Sequence, residues 1–359
     1  MIPNRSLHLS LAVVSAMVLT ACGGGEETTA PDTPTDEPTA PEETGTDADD
    51  GQDTTELTDV SFSAVPSMTS IGLHVANDLG YFEEEGIRAE IVDFDSGAAS
   101  EQAMLTGEVD YGAGGVVSTL LMEAAGEDVT NLVLFQSKPI FSFVVRSDLA
   151  GEIAGLEDLE GRTVGISSPG SLTDFFARLS LHEVGLDPDS DVDLVATGGT
   201  SGHVAALQAE QVDVQLTWEP GTTQITEVTG VGEMLVDLRT DEAPGVVGEL
   251  IGSSLQALNS TIEEDPELAE AIVRAVVKAD NAIAEDPSVL ADALETHLFS
   301  DLPREQIERI AEIESASFRP SITEDEIQAW VDAYMELGFL EEPIEPSAVL
   351  DDRFADLWQ

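Results

Sequence analysis

Small hydroxyl-bearing residues recur in this sequence wherever an apolar, strand-like run gives way to a helix-like one. Ser67, Met68 and Thr69 precede Ile71–Leu79, Ser96 and Gly97 precede a helix closed by Gly107, and Gly114 and Gly115, with Ser118, lead into a third. Further on, Ser168, Gly170, Ser171 and Thr173 surround a helix start at Leu172. Ser201 and His203 flank Gly202 at another, and Trp218 and Glu219 end a short strand. Such turns present free backbone N–H groups at the positive end of a helix dipole. With serine and threonine hydroxyls beside them they suit an oxyanion such as a sulfonate, nitrate or carboxylate. A single Ser or Thr at this position is also an ordinary helix cap, so the argument rests on the set. Two residues point elsewhere. Trp218 offers a platform for an aromatic or apolar ligand, or plain packing. Glu219 would repel an anion and attract an amine, such as a pyrimidine or an amino-sulfonate carries. Arg146 and Arg178 fall on a strand and in mid-helix and read as structural. Both ligand classes therefore stay open.

Catalytic patterns are missing. His8, His74, His182, His203 and His297 are scattered, and HExxH, CxxC, GxSxG and the phosphate-loop GxxxxGK[ST] do not occur. Neither a metal nor a cofactor is expected, nor an enzymatic activity. Carboxylates are too abundant for any one pair to carry weight: 72 Asp+Glu face 13 Lys+Arg in 359 residues, a formal charge of −59. No basic patch can be assembled to neutralise phosphates, so a nucleic-acid partner is excluded. An acidic surface of this kind fits a high-salt habitat, where screening relieves self-repulsion. A hydrophobic fraction of 42% supports a sizeable core.

The elements that would hold these turns alternate in the α/β manner. Leu57–Val65 and Ile87–Phe94 read as strands, Glu108–Tyr111 as a short one, Val117–Ala125 as a helix, and Leu132–Gln136 and Ile140–Arg146 as strands. After a candidate hinge at Ser147–Ala154 the pattern repeats through Thr163–Ile166, the helix Leu172–Glu183, Val192–Val195, the helix His203–Ala209 and Met234–Leu238. A second hinge falls near Thr240–Val247. The remainder is helical: Leu268–Ala284, a helix opened by Asp286-Pro287-Ser288, Arg304–Ser315, and Thr323–Leu337, where Thr323 and Glu326 form a capping box. In an open α/β sheet, ligands gather beyond the carboxyl ends of the strands.

The order of these residues resembles one family. Val75-Ala76, Gly80-Tyr81-Phe82, Glu85-Gly86-Ile87, Ser96-Gly97, Met104-Leu105 and Gly107-Glu108-Val109-Asp110 match the pattern of ABC-importer substrate-binding proteins of the NMT1/THI5-like, or SsuA/TauA-like, branch. Leu156 to Ile166 (LEDLEGRTVGI) and Trp218-Glu219-Pro220 match it again. The resemblance implies a two-lobed α/β fold of the type II periplasmic-binding kind, with two crossover segments as hinge. Lobe one would begin with 57–148 and lobe two comprise 149–242, while 243–359 would return to lobe one and add the C-terminal helices, with a small solute held between the lobes. It further implies a monomer that works with an ABC permease and its ATPase. Sulfonate, nitrate or taurine-like anions are favoured, with a thiamine-pyrimidine-type precursor as the alternative. An enzyme or a sensor domain on the same fold is the alternative of a different class. The thiamine-pyrimidine-forming enzymes of this fold carry a Cys-rich motif, and the sole cysteine here is Cys22.

Cys22 has its own context. Arg5, the apolar run Leu9–Val18 and Leu19-Thr20-Ala21-Cys22 form a signal-peptide pattern that resembles a bacterial lipobox. The resemblance implies cleavage after residue 21, a lipid on Cys22, and a place at the cell surface or in the periplasm. Residues 22–56, rich in Gly, Thr, Pro, Asp and Glu, are expected to be a disordered tether.

Overall fold

The computed structural model describes residues 57–94 and 96–359. The segments expected to be a signal peptide and a tether, and the expected lipidation site Cys22, lie outside the described residues. From its start the chain builds a first sheet: β1 (Thr58–Ala64), α1 (Ile71–Asp78), the single turn α2 (Tyr81–Glu84), β2 (Ile87–Asp93), α3 (Gly97–Leu105), β3 (Tyr111–Gly115), α4 (Val116–Ala124) and β4 (Val129–Leu134). The second sheet follows: β5 (Phe141–Arg146), β6 (Thr163–Ile166), α5 (Leu172–Glu183), β7 (Asp193–Ala196), α6 (Thr200–Gln208), β8 (Val214–Trp218), the short α7 (Gly221–Thr223) and β9 (Gly232–Asp237). β10 (Ser253–Leu258) then returns to the first sheet. It is followed by α8 (Asn259–Glu264), α9 (Pro266–Glu285), α10 (Pro287–His297), α11 (Arg304–Glu314) and α12 (Glu324–Glu336).

The two sheets have matching orders, β2-β1-β3-β10-β4 and β7-β6-β8-β5-β9. In each, four strands run in one direction, and the fourth in the order is antiparallel to its neighbours. The antiparallel strand is the one that arrives from the other sheet. β10 is inserted between β3 and β4, and β5 between β8 and β9. The chain therefore changes sheets twice, between Leu134 and Phe141 and between Asp237 and Ser253. The two crossings run side by side, with Gly252 N–H donating to the Gln136 carbonyl at 2.7 Å and Phe135 N–H to the Ser253 carbonyl at 2.8 Å.

This corrects the hinge expected at Ser147–Ala154. The apolar run Phe141–Arg146 looks like the last strand of the first lobe. It pairs instead with β8 and β9, so the crossing precedes it. The C-terminal helices, which follow the return to the first sheet, divide between the two cores. α9, with Ala269, Ile272, Val273, Val276, Ala279 and Ile283 buried at three- and four-residue spacing, does cover the first sheet. α12 joins the core of the second. Trp330 and Tyr334 pack on Phe175 of α5 at ring-centroid distances of 5.3 and 4.5 Å. Each buried aromatic or aliphatic side chain there contributes about 1.5–3 kcal/mol. The capping box forms as expected, with Thr323 accepting from Glu326 N–H and the Glu326 carboxylate accepting from Thr323 N–H.

A second difference affects the site directly. Glu108–Tyr111 is not a strand. Asp110 folds back to accept from Ser61 N–H and Oγ, at 2.8 and 2.7 Å, and the strand begins at Tyr111. β3 is thus the sequence Tyr-Gly-Ala-Gly-Gly, and the glycines expected to be a turn form its body.

Candidate ligand-binding cleft

The glycines of β3 have a steric reason. A Cβ on Gly112 would sit 3.1 Å from Met104 Sδ and Ser63 Oγ, and one on Gly114 3.2 Å from Gln256 Oε1. Without side chains, β3 forms the floor of a cavity of about 610 Å³. The wall from the first lobe consists of Ser67 and Thr69 beyond the end of β1, the start of α3 at Ser96 and Gly97, the end of β3 at Gly114 and Gly115, and Ser118 on α4. Ser168, Gly170, Ser171 and Leu172 close it from the second lobe.

Three helices point their N-termini at this space, and their ends differ. α3 is capped by Ser96, which accepts from Ala99 N–H at 3.3 Å. α4 starts at Gly115 with no side-chain cap and no acidic residue in its first turn. α5 is capped by Ser171 and already holds an anion of its own, because buried Asp174 accepts from Gly170 N–H at 2.7 Å and pairs with Arg178. The N-terminus of α4 is therefore the one with no side-chain answer, although its Val116 N–H donates to the Gly252 carbonyl at 3.0 Å.

Ten of the residues singled out in the sequence line the cavity: Ser67, Thr69, Ser96, Gly97, Gly114, Gly115, Ser118, Ser168, Gly170 and Ser171. Six do not. Met68 is buried in the first core. Thr173 is buried behind the lining, in a ring of hydroxyls with Ser167 and Ser171 at 2.7–2.9 Å. Ser201 lies exposed on α6. His203 is fully buried. Its Nε2 meets the Gly198 carbonyl at 2.7 Å and its Nδ1 the Thr217 hydroxyl at 3.0 Å, and burial pushes its pKa down. Trp218 packs edge-on against that imidazole, with ring centroids 4.9 Å apart. Glu219, expected as a ligand contact, is buried and belongs to an ion cluster at the crossings. Arg239 Nη1 reaches it at 3.3 Å and Glu314 at 2.9 Å, while the rest of the guanidinium holds Asp237. For Trp218 and Glu219 the cause is that β8 ends against α6 and α7, so the residues at its C-terminal end serve packing.

The cavity also contains residues the sequence reading missed. Ser63 and Ser100 share a buried hydrogen bond of 2.8 Å at its base. Glu101 sits one turn after Gly97 on α3, on the same helix face, a spacing that could have flagged it. Burial pushes its carboxyl above the usual range, and the Ser118 hydroxyl opposes this. Gln256 comes from β10 and is 1% exposed. Its Nε2 donates to the Gly115 carbonyl at 2.8 Å and to Ser254 Oγ at 3.3 Å. Only the insertion of β10 beside β3 brings it here, so local spacing carries no sign of it.

Comparison with known proteins agrees with this architecture. A Brucella abortus (strain 2308) protein named as a binding protein is 24% identical over 281 residues, covering 76% of this chain and 83% of that one. Among solved structures, the periplasmic aliphatic sulphonate binding protein SsuA from Escherichia coli superposes with a TM-score of 0.66 at 17% identity, covering 82% of this chain and 91% of its own. The periplasmic nitrate-binding protein NrtA from Synechocystis PCC 6803 gives 0.68 at 15%, covering 84% and 88%. An enzyme shares the fold as well: the desulfurization enzyme DSZB gives 0.65 at 18%, covering 84% and 98%. The chain has the periplasmic binding protein fold. The NMT1/THI5-like family pattern matches residues 67–289 of the 359, and the chain belongs to that family.

Proposed function

We propose that this protein is the solute receptor of an ABC importer. It captures a small molecule in the cavity between the two sheets and delivers it to a membrane permease driven by an ATPase. The observation that carries the reading is the cavity itself: helix N-termini from both lobes open into it, and glycines keep its floor clear. The sulfonate- and nitrate-binding neighbours of the same fold support the solute class, with an oxyanion seated at the start of α4. A thiamine-pyrimidine-type solute is the alternative. Ligand contacts with both lobes would draw them together and make the closed form the one the permease accepts.

Lipid on Cys22 would hold the receptor at the outer face of a membrane, and residues 22–56 would give it reach. The receptor acts as a monomer and leaves its solute unaltered, with the acidic surface adapted to high salt. None of the lining residues is a His, Cys or Lys, which favours retention over turnover. A thermal-shift screen of the chain in molar salt against nitrate, alkyl sulfonates, taurine, carboxylates and pyrimidines tests this. A solute at a hundred times its Kd stabilises the folded state by about 2.7 kcal/mol. A shift with recovery of unchanged solute is expected, and chemical conversion of the solute would favour an enzyme instead.

A further inference from the structure

The proposal concerns what the solute must carry, and it rests on the receptor reading above. Glu101 is the only charged side chain among the described residues that line the cavity. No cation among the described residues lines the cavity: Lys138 Nζ donates to the Gly248 carbonyl at 2.8 Å, and Lys278 pairs with Glu84 and Glu85. The ten described arginines, Arg88, Arg146, Arg162, Arg178, Arg239, Arg274, Arg304, Arg309, Arg319 and Arg353, are each paired with a carboxylate elsewhere, and none lines the cavity. Gln256 adds a second acceptor. Its two donor contacts fix the amide with Nε2 toward the Gly115 carbonyl, which turns Oε1 to the Gly114 side. There it accepts no hydrogen bond from the described residues. That oxygen opens on the cavity, so a bound molecule with an N–H group can take the place of water as its donor. The same cavity holds the uncapped N-terminus of α4, which offers donors.

We infer that the solute is bipolar. It bears a nitrogen with N–H groups, a primary amine or an amino-heterocycle, directed at Glu101 and Gln256 Oε1. An acceptor-bearing end lies at the start of α4. Nitrate and simple alkyl sulfonates, which have no donor, leave both acceptors unanswered and are disfavoured. The site thus selects for the amine as well as for the oxyanion or ring acceptor that the fold already accommodates.

Calorimetric titration of the full-length chain with matched pairs tests this. Suitable pairs are ethanesulfonate against taurine, propionate against β-alanine, and 2,4-dimethylpyrimidine against 4-amino-2-methylpyrimidine, with nitrate alongside. In at least one pair the amine member is expected to bind about tenfold more tightly or better, a difference of about 1.4 kcal/mol. Glu101→Gln should erase that preference without lowering the melting temperature. The wild-type preference stands as a result even if the variant fails to fold. Donor-free members binding as tightly as their amine partners in every pair, or nitrate binding more tightly than every amine member, would overturn the inference. So would an unchanged preference in a folded Glu101→Gln protein, and so would no binding of any probe. In that last case the receptor reading is decided separately, by native mass spectrometry of solute carried through purification. A donor-free passenger would preserve the receptor and sink the amine.

Discussion

Glu101 and Glu219 are two carboxylates in turn-rich stretches of the same fold, one in each lobe, and their surroundings are opposite. Glu219 is closed in. It shares Arg239 with Asp237 and Glu314, its Oε2 accepts from Thr223 N–H at 3.1 Å, and it is buried away from the cavity. Glu101 faces a cavity with no cationic partner among the described residues. The first region is organised around charges that satisfy each other, the second around polar groups left open. The closed cluster sits where the chain crosses between sheets, since Asp237 ends β9, Arg239 begins the crossing and Glu314 ends α11. The Gln136 amide of the other crossing reaches Glu314 at 3.4 Å, so both crossings are tied to one guanidinium. A residue's type therefore does not decide its role. The number of partners that the topology delivers to it does.

The sharpest way to break this contrast is to remove the centre of the closed cluster. Arg239→Met leaves three carboxylates near one another without their cation and should cost about 3–5 kcal/mol of stability, read by urea denaturation. The deficit should persist in molar salt, because buried pairs are screened far less than exposed ones. Recovery of wild-type stability in salt would show that the cluster is not buried in solution. On the open side, Gly97→Phe should do the reverse. A Cβ there meets only Glu101 Oε1 at 3.9 Å, so the ring enters the cavity. Solute affinity should fall by about a hundredfold or more, roughly 2.8 kcal/mol, with the melting temperature nearly unchanged. A calorimetric titration and a thermal melt together check both halves.

A smaller effect concerns pH. Burial pushes the Glu314 carboxyl up from 4.5 to about 7, against the pull of Arg239. Buried Asp280, with neither carboxylate oxygen hydrogen-bonded, is raised in the same direction by burial. A carboxyl raised on folding holds its proton more tightly in the folded state. Its contribution is complete below the unfolded value and is lost as pH rises through the folded one. Stability should therefore decline between about pH 5 and 8, and Glu314→Gln should remove roughly 1–3 kcal/mol of that decline. Denaturation midpoints across the range would show it, and an equal slope in both proteins would place Glu314 outside the coupling. Asp280→Asn should flatten the remaining slope. If the Asn protein keeps the full slope, the decline originates elsewhere.

The contrast also shows where sequence was informative. Turns such as Ser67–Thr69, Ser96-Gly97 and Ser168–Ser171 are local devices, and their chemistry survives any tertiary arrangement, so they were legible. The α12 capping box was readable for the same reason. The role of Phe141–Arg146 was not, because an apolar strand reads alike in either sheet and only its pairing with β8 and β9 assigns it. Glu219 was misread because its cation, Arg239, follows at a distance that no motif marks. Glu101 was overlooked because 72 acidic residues make any single one inconspicuous. Gln256 enters the cavity only through the β10 insertion, a contact across 141 positions to Gly115.

The central claim is that the space over β3 holds a small solute. Native mass spectrometry of the full-length chain, purified without added ligand from cells of its own host, tests this most directly. Wild type should carry a small adduct that is released unchanged on denaturation, and Gly97→Phe should carry none. A wild-type protein without any adduct, or an adduct retained equally by Gly97→Phe, would contradict the account.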